Sequence, residues 1–313
     1  MLIISILIFI ASVLVLVKGA DVFLGSAEKL GLAAGLSPFV VGVVIVGAGT
    51  SFPELISSLV AVLKDVPEIV VANAVGSNIA NILLIIGVSS IFAKSIKSKT
   101  NLTNLELPIM AITSIIFLAT VWDGNIKKVE SFILLLTFLV FVTYSIFNKP
   151  SDKPKEPVKE TNRPKISVKD IALLGLGLAG LVFGSKYLIE SVIDISTVLN
   201  LAPAAVSVVA VALGTSLPEL LVSIKAAMKG STDVALGNVF GSNAFNILMV
   251  IGIPGLFSSL PVDVVTMTIA IPAFIAVTLI FIISCFSNMI HKWEGFMYLI
   301  LYLIFIGKVF SIF

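Results

Sequence analysis

Charge is scarce in this chain. Of its 313 residues only 12% are Asp, Glu, Lys or Arg, against about 25% in an average soluble domain. That shortage excludes a soluble globular enzyme and a disordered chain. The net charge is only +2 and the basic residues form no stripe, which excludes a nucleic-acid binder. Cys285 is the sole cysteine, so neither an internal disulfide nor a cysteine-cluster metal site can form. His291 is the sole histidine, which excludes a multi-histidine zinc site. What the chain has in abundance is apolar surface: 58% of its residues are hydrophobic and the mean hydropathy is +1.16. The class that remains is a polytopic membrane protein.

A helix that crosses a bilayer needs roughly 20 apolar residues. Ten segments qualify: Leu2–Phe23, Pro38–Leu63, Ile69–Phe92, Leu105–Trp122, Val129–Phe147, Val168–Ile189, Ala204–Met228, Val234–Phe257, Val264–Phe286 and Gly295–Phe310. The first has no basic n-region and no small-residue cleavage site, so it is expected to be a retained helix. The longest polar stretch, Asn148–Lys169, carries seven basic residues and four prolines and reads as a flexible cytoplasmic linker. Placing it inside puts both termini outside. The other inside loops then hold Lys29, Lys94, Lys97, Lys99, Lys229 and Lys292. The outside keeps Lys64, Lys127, Lys128, Lys186 and Lys308. The linker has no dense acidic cluster, so no cytosolic calcium-sensing domain is expected.

Two motifs occur twice. GTSFPEL at Gly49–Leu55 recurs as GTSLPEL at Gly214–Leu220, and GSNIANIL at Gly76–Leu83 recurs as GSNAFNIL at Gly241–Leu248. The offset is constant, since 219 − 54 and 246 − 81 both equal 165. The fold class expected is therefore an all-α membrane protein of ten transmembrane helices in two five-helix repeats. Residues 1–147 form the first, 148–167 the linker and 168–313 the second. Five is odd, so the second repeat enters the membrane inverted, as in many secondary transporters.

Glu54 and Glu219 fall near the middle of their spans, where a carboxylate is costly. A structural ion pair or a protonated, hydrogen-bonded Glu is the plain alternative, but no Lys or Arg lies at matching depth in spans two, three, seven or eight. Gly47, Thr50, Ser51 and Glu54 share one helix face, and Ala212, Thr215, Ser216 and Glu219 repeat it. Pro53 and Pro218 lack the N–H that would bond the carbonyls of Gly49 and Gly214. A helix opened there has carbonyl oxygens to offer an ion, and the glycines also allow close helix packing. Spans three and eight add the stripes Asn73, Ser77, Asn81 and Asn238, Ser242, Asn246. Asn73 and Asn238 either line the path or hydrogen-bond between helices. Asn78 and Asn243 lie off the stripe and are expected to cap or pack. The donors are all oxygen, which suits a hard cation such as calcium. Two carboxylates balance one Ca2+ or two monovalent ions, and smaller flanking subsites would suit Na+.

At these residues the chain resembles the cation/calcium antiporter superfamily, specifically its sodium/calcium exchanger branch. That branch carries G-[TS]-S-x-P-[ED] and G-S-x-x-x-[ND] in each of two repeats, and both motifs stand in both halves here. The resemblance covers all ten spans. It implies exchange of Ca2+ for Na+ by alternating access in the plasma membrane, by a monomer without a cofactor. It makes Glu54 and Glu219 the shared ligands, joined by the carbonyls of Thr50 and Thr215. Gly47, Ser51 and Ser77 would line the inner Na+ site, and Ala212, Ser216 and Ser242 the outer one. Asn81 and Asn246 would face the middle, and helices one and six would slide across this core. Asn246 stands where potassium-dependent members carry Asp, which argues against K+ co-transport. The G-N-x-x-E motif of the proton/calcium branch is absent, which favours Na+ and leaves a H+/Ca2+ antiporter as the alternative.

Two other classes fit less well. An intramembrane hydrolase using Ser51 or Ser216 has no histidine near either serine to act as its base. A channel would pass ions without a counter-ion. The remaining charges read as interfacial: Lys18 with Asp21, Lys186 with Glu190, and His291, Lys292 and Trp293 as anchors. Cys285 reads as a small apolar packer.

Overall fold

The computed structural model describes residues 2–98, 102, 106–147, 166–198 and 216–310, which are predominantly helical. In chain order the helices are α1 (Leu2–Ala33), α2 (Pro38–Leu63), α3 (Glu68–Phe92), α4 (Glu106–Val121), α5 (Lys128–Phe147), α6 (Val168–Val198), α7 (Leu217–Met228), α8 (Thr232–Phe257), α9 (Thr266–Cys285) and α10 (Lys292–Val309). Seven of them, α1, α2, α3, α5, α6, α8 and α9, are long and apolar enough to cross a membrane. α4 has only 16 residues, and α10 includes Lys292, Glu294 and Lys308 in its 18. α7 has 12 described residues. The rest of the seventh expected span and residues 148–165 of the expected linker lie outside the described residues.

α1 and α6 run well past their apolar segments, to Ala33 and Val198 instead of Phe23 and Ile189. Polar residues do not stop a helix whose backbone bonds continue. α1 ends where Gly35 takes φ +73°, a left-handed conformation cheap only for glycine. These two helices make the most extensive helix–helix contact among the described residues. Their backbones approach closely at Gly177, where a Cβ would lie 2.5 Å from the amide nitrogen of Phe23.

Four short strands tie loops together: β1 (Ser95–Lys97), β2 (Asn125–Ile126), β3 (Leu260–Pro261) and β4 (Met289–His291). β1 pairs antiparallel with β4, Ser95 opposite His291 and Ile96 opposite Ile290. β2 pairs with β3, Ile126 opposite Leu260 and Asn125 opposite Pro261. Each of these pairs lies 165 positions from its counterpart in the other ladder, as 260 − 95 and 291 − 126 show.

The core is built around α3 and α8, the two most buried spans. Phe274 and Phe281 of α9 pack on it, with Phe117 edge-on to Phe274 at 5.7 Å. Cys285 is fully buried there, as an apolar packer should be. A second cluster joins Leu16, Phe23 and Leu24 of α1 to Leu181 of α6 and Val222 of α7. The expected Lys18–Asp21 pair does not form. Lys18 is exposed, and Asp21 faces α7, accepting from Lys225 at 2.7 Å and pairing with Lys229 at 3.1 Å. Lys29 of α1 meets Asp170 of α6 at 2.7 Å. Lys186 and Glu190 pair at 3.9 Å as expected, and Trp293 is exposed beside Lys292.

Candidate functional site

α2 is interrupted where the sequence places GTSFPEL. Ser51 sits at φ −87° and ψ +6°, and a new helical segment starts at Phe52 with Pro53 in its first turn. Ser216 has nearly the same geometry, φ −87° and ψ +1°, with Leu217 and Pro218 following. This bridge conformation is sparsely populated and common at functional sites. Proline explains the break, because it removes a backbone donor just where the helix would close its next bond. α3 and α8 each contain a π-helical stretch, Asn81–Ile86 and Asn246–Val250, beginning 165 residues apart. π-turns widen a helix and are frequent at functional sites.

The two glutamates lie inside the molecule, each 1% exposed. Thr50, Ser51, Ser216, Ser77, Ser242, Asn81 and Asn246 are all buried too, and Gly47 is buried at the end of a π-turn. Ala212 and Thr215 lie outside the described residues. Ser51 Oγ donates to Glu219 Oε1 at 3.0 Å, which joins the first motif to the second. Ser242 Oγ donates to the carbonyl of Gly47 at 3.3 Å. Gly47 and Ser242, which the family resemblance puts in different subsites, thus touch. Thr50 Oγ1 donates to the carbonyl of Val46 at 3.0 Å and lies 3.2 Å from Asn238 Oδ1. The contact between α2 and α8 is backbone on backbone: a Cβ on Gly47 would lie 2.8 Å from the nitrogen of Ser242, and one on Gly241 would land on the carbonyl of Val43.

Asn73 and Asn238 both hydrogen-bond between helices. Asn238 Nδ2 donates to Ser223 Oγ at 2.8 Å, and Asn73 Nδ2 to Ser58 Oγ at 3.3 Å. The two bonds are the same bond displaced by 165 in both partners, and the serines could have been found from that offset. Asn78 and Asn243, expected only to cap or pack, hydrogen-bond each other instead: Asn78 Nδ2 donates to the carbonyl of Asn243 at 3.1 Å. Asn81 Nδ2 donates to Asn243 Oδ1 at 3.0 Å. Nothing in the periodicity announced this, since both residues sit off the polar stripe.

Several buried oxygens have no protein partner among the described residues: Glu219 Oε2, Ser216 Oγ, Asn81 Oδ1 and Asn246 Oδ1. A buried polar atom left unsatisfied costs about 1–3 kcal/mol, so such a group is met by water or by an ion. The ion pairs recorded among the described residues lie elsewhere and none includes Glu219. No group of three His, Cys, Asp or Glu occurs among the described residues either. A cation here would therefore meet neutral oxygens and at most two carboxylates, and it would be a hard one.

Comparison with known proteins gives a consistent neighbourhood. The family model described as sodium/calcium exchanger protein matches residues 4–147 and 169–311. A sodium/calcium exchanger of Methanosarcina acetivorans is 32% identical, with 100% of both chains covered. An uncharacterized membrane protein of Methanocaldococcus jannaschii is 31% identical over 98% of this chain and 99% of its own. Among solved structures, the sodium-calcium exchanger NCX_Mj soaked with zero Na+ and Ca2+ superimposes with a TM-score of 0.84. Its sequence identity is 28%, covering 98% of this chain and 99% of that one.

Proposed function

The chain belongs to the sodium/calcium exchanger protein family, and from that premise we propose that it exchanges Ca2+ for Na+ across a membrane by alternating access. It is a membrane ion exchanger and not an enzyme. Glu54 and Glu219 are the shared ligands. The observation that carries this is the pair of repeat-related carboxylates, each 1% exposed, together with buried oxygens of Glu219, Ser216, Asn81 and Asn246 that have no partner among the described residues. A divalent cation neutralises both carboxylates at once, and two monovalent ions do the same, so the two cargoes compete for one charge. The carbonyls of Thr50 and Thr215 complete the central site. Gly47, Ser51 and Ser77 serve one Na+ subsite, and Ala212, Ser216 and Ser242 the other.

The architecture proposed is ten spans in two inverted five-helix halves, with the linker inside and both termini outside. Support comes from contacts that recur at the offset of 165, in the strand ladders and in the asparagine–serine pairs. α1 and α6, bound chiefly to each other, form the unit that moves over the core of α2, α3, α7 and α8. The protein works as a monomer in the plasma membrane.

The test is radioactive calcium uptake into proteoliposomes loaded with Na+. Uptake driven by the Na+ gradient, and lost in both Glu54→Gln and Glu219→Gln, is the expected result. Uptake driven only by a pH gradient would reassign the counter-ion to H+. Full activity of either glutamine variant would mean that the central site lies elsewhere, and calcium flux needing no counter-ion would mean a channel.

A further inference from the structure

Beside Asn78 and Asn243, residues of α3, α4, α5, α8 and α9 line a small cavity. Its volume is about 10 Å³, and Asn78, Asn243, Thr113, Ser114, Phe240 and Phe274 are among the residues that line it. A water molecule needs roughly 10–15 Å³ of such room and two to four polar partners.

The polar inventory is specific. Asn78 is 0% exposed and Asn243 is 3% exposed. Asn78 uses its amide nitrogen on the carbonyl of Asn243, and its Oδ1 has no partner among the described residues. Asn243 uses its Oδ1 to accept from Asn81, and its Nδ2 has no partner among the described residues. The side-chain atoms left unbonded are one acceptor, Asn78 Oδ1, and one donor, Asn243 Nδ2, both on residues that line the same cavity. Thr113 Oγ1 and Ser114 Oγ give their protons to the carbonyl of Met110, at 3.0 and 2.8 Å. Their oxygens therefore offer only lone pairs to the cavity.

We propose that this cavity is a binding site for one water molecule, which accepts from Asn243 Nδ2 and donates to Asn78 Oδ1 and to the hydroxyl oxygen of Thr113 or Ser114. Three bonds is the usual number for a buried water. Other small occupants fit worse. A cation would face the N–H of Asn243 with no lining carboxylate to balance it. An anion would face three lone-pair acceptors. An apolar gas would leave both amide atoms unsatisfied. The water holds Asn243 in the orientation that receives Asn81.

Among the described residues the site occurs once. Its mirror position, 165 residues along, would use Thr278 in place of Thr113 and Leu279 in place of Ser114. The amide atoms that would face it, Asn78 Nδ2 and Asn243 Oδ1, are already bonded to protein.

The experiment is a crystal structure of the full chain at a resolution that resolves ordered solvent. The expected result is one peak within hydrogen-bonding distance of both Asn78 Oδ1 and Asn243 Nδ2, and none beside Thr278. A direct bond between the two amides with no peak would overturn the proposal. So would a peak ringed by oxygens at the shorter distances of a bound cation. A second readout needs no crystal and no transport. Met110 borders the cavity and is only 6% exposed, so X-ray footprinting in nanodiscs in isotopically labelled water should oxidise it despite its burial. The Thr113→Val, Ser114→Ala double variant removes two acceptors and should lower that labelling severalfold. Unchanged labelling in this variant would also overturn the site. Neither readout depends on which ions the protein exchanges.

Discussion

Ser51 and Ser216 stand at equivalent places in the two motifs, yet they differ in what they hold. Ser51 donates to Glu219 at 3.0 Å, whereas Ser216 Oγ has no partner among the described residues. A hydrogen bond to an ionised carboxylate contributes about 1.5–3 kcal/mol, and 1.4 kcal/mol is about tenfold in affinity. Ser51→Ala is therefore expected to raise the Na+ concentration for half-maximal calcium uptake about tenfold. Ser216→Ala should cost distinctly less in the conformation described. Na+ titration of uptake by both variants checks this, and equal effects would argue that the asymmetry has no functional weight. Which residues could form the site was legible at this scale. The carboxylates stood out by depth and the oxygens by face. How they bond was not legible, because Ser51 reaches a partner 168 residues away and Asn243 reaches Asn78 and Asn81 across the two halves. No local period encodes such contacts.

Helices carry the next set of consequences. The α2–α8 contact leaves no room for side-chain carbon, since a Cβ on Gly241 would overlap the Val43 carbonyl. Overpacking of this kind costs about 1–3 kcal/mol. Gly241→Ala should lower the melting temperature in detergent by several degrees, and a thermal-shift assay decides it. α1 is tied to α7 by Asp21 with Lys225 and Lys229. The counterpart in the other half cannot form, because the equivalent positions are Lys186, Val60 and Lys64. These groups are partly exposed, and such pairs contribute about 0–1 kcal/mol each. Asp21→Asn should accordingly give a modest, severalfold acceleration of amide exchange in residues 19–33 of α1 and leave α6 nearly unchanged. Exchange unaltered in α1 would dismiss the tie. Of the elements, α2, α3, α5, α8 and α9 lie within a few residues of where apolar length puts them. α1 and α6 exceed their apolar runs because backbone bonding, not hydropathy, decides where a helix stops. The strands were invisible, being two or three residues long and paired only through distant loops.

At the scale of the molecule, the inverted arrangement proposed above makes a directional prediction. In a background of Cys285→Ser, a cysteine at Asp123 should react with an impermeant maleimide in right-side-out vesicles. One at Lys97 should react only in inverted vesicles. The opposite pattern would reverse the orientation, and labelling of both from one side would sink the odd-numbered repeat. The ladders β1–β4 and β2–β3 carry a different consequence, one of time. Each takes one strand from before residue 148 and one from after residue 166. During synthesis β1 is complete at Lys97, and β4 begins only at Met289, 192 residues later. At about 5–20 residues per second the ribosome takes roughly 10–40 s to supply that partner. The first half thus waits with two open strand edges, and the loop between α9 and α10 is the one that pairs with the first strand.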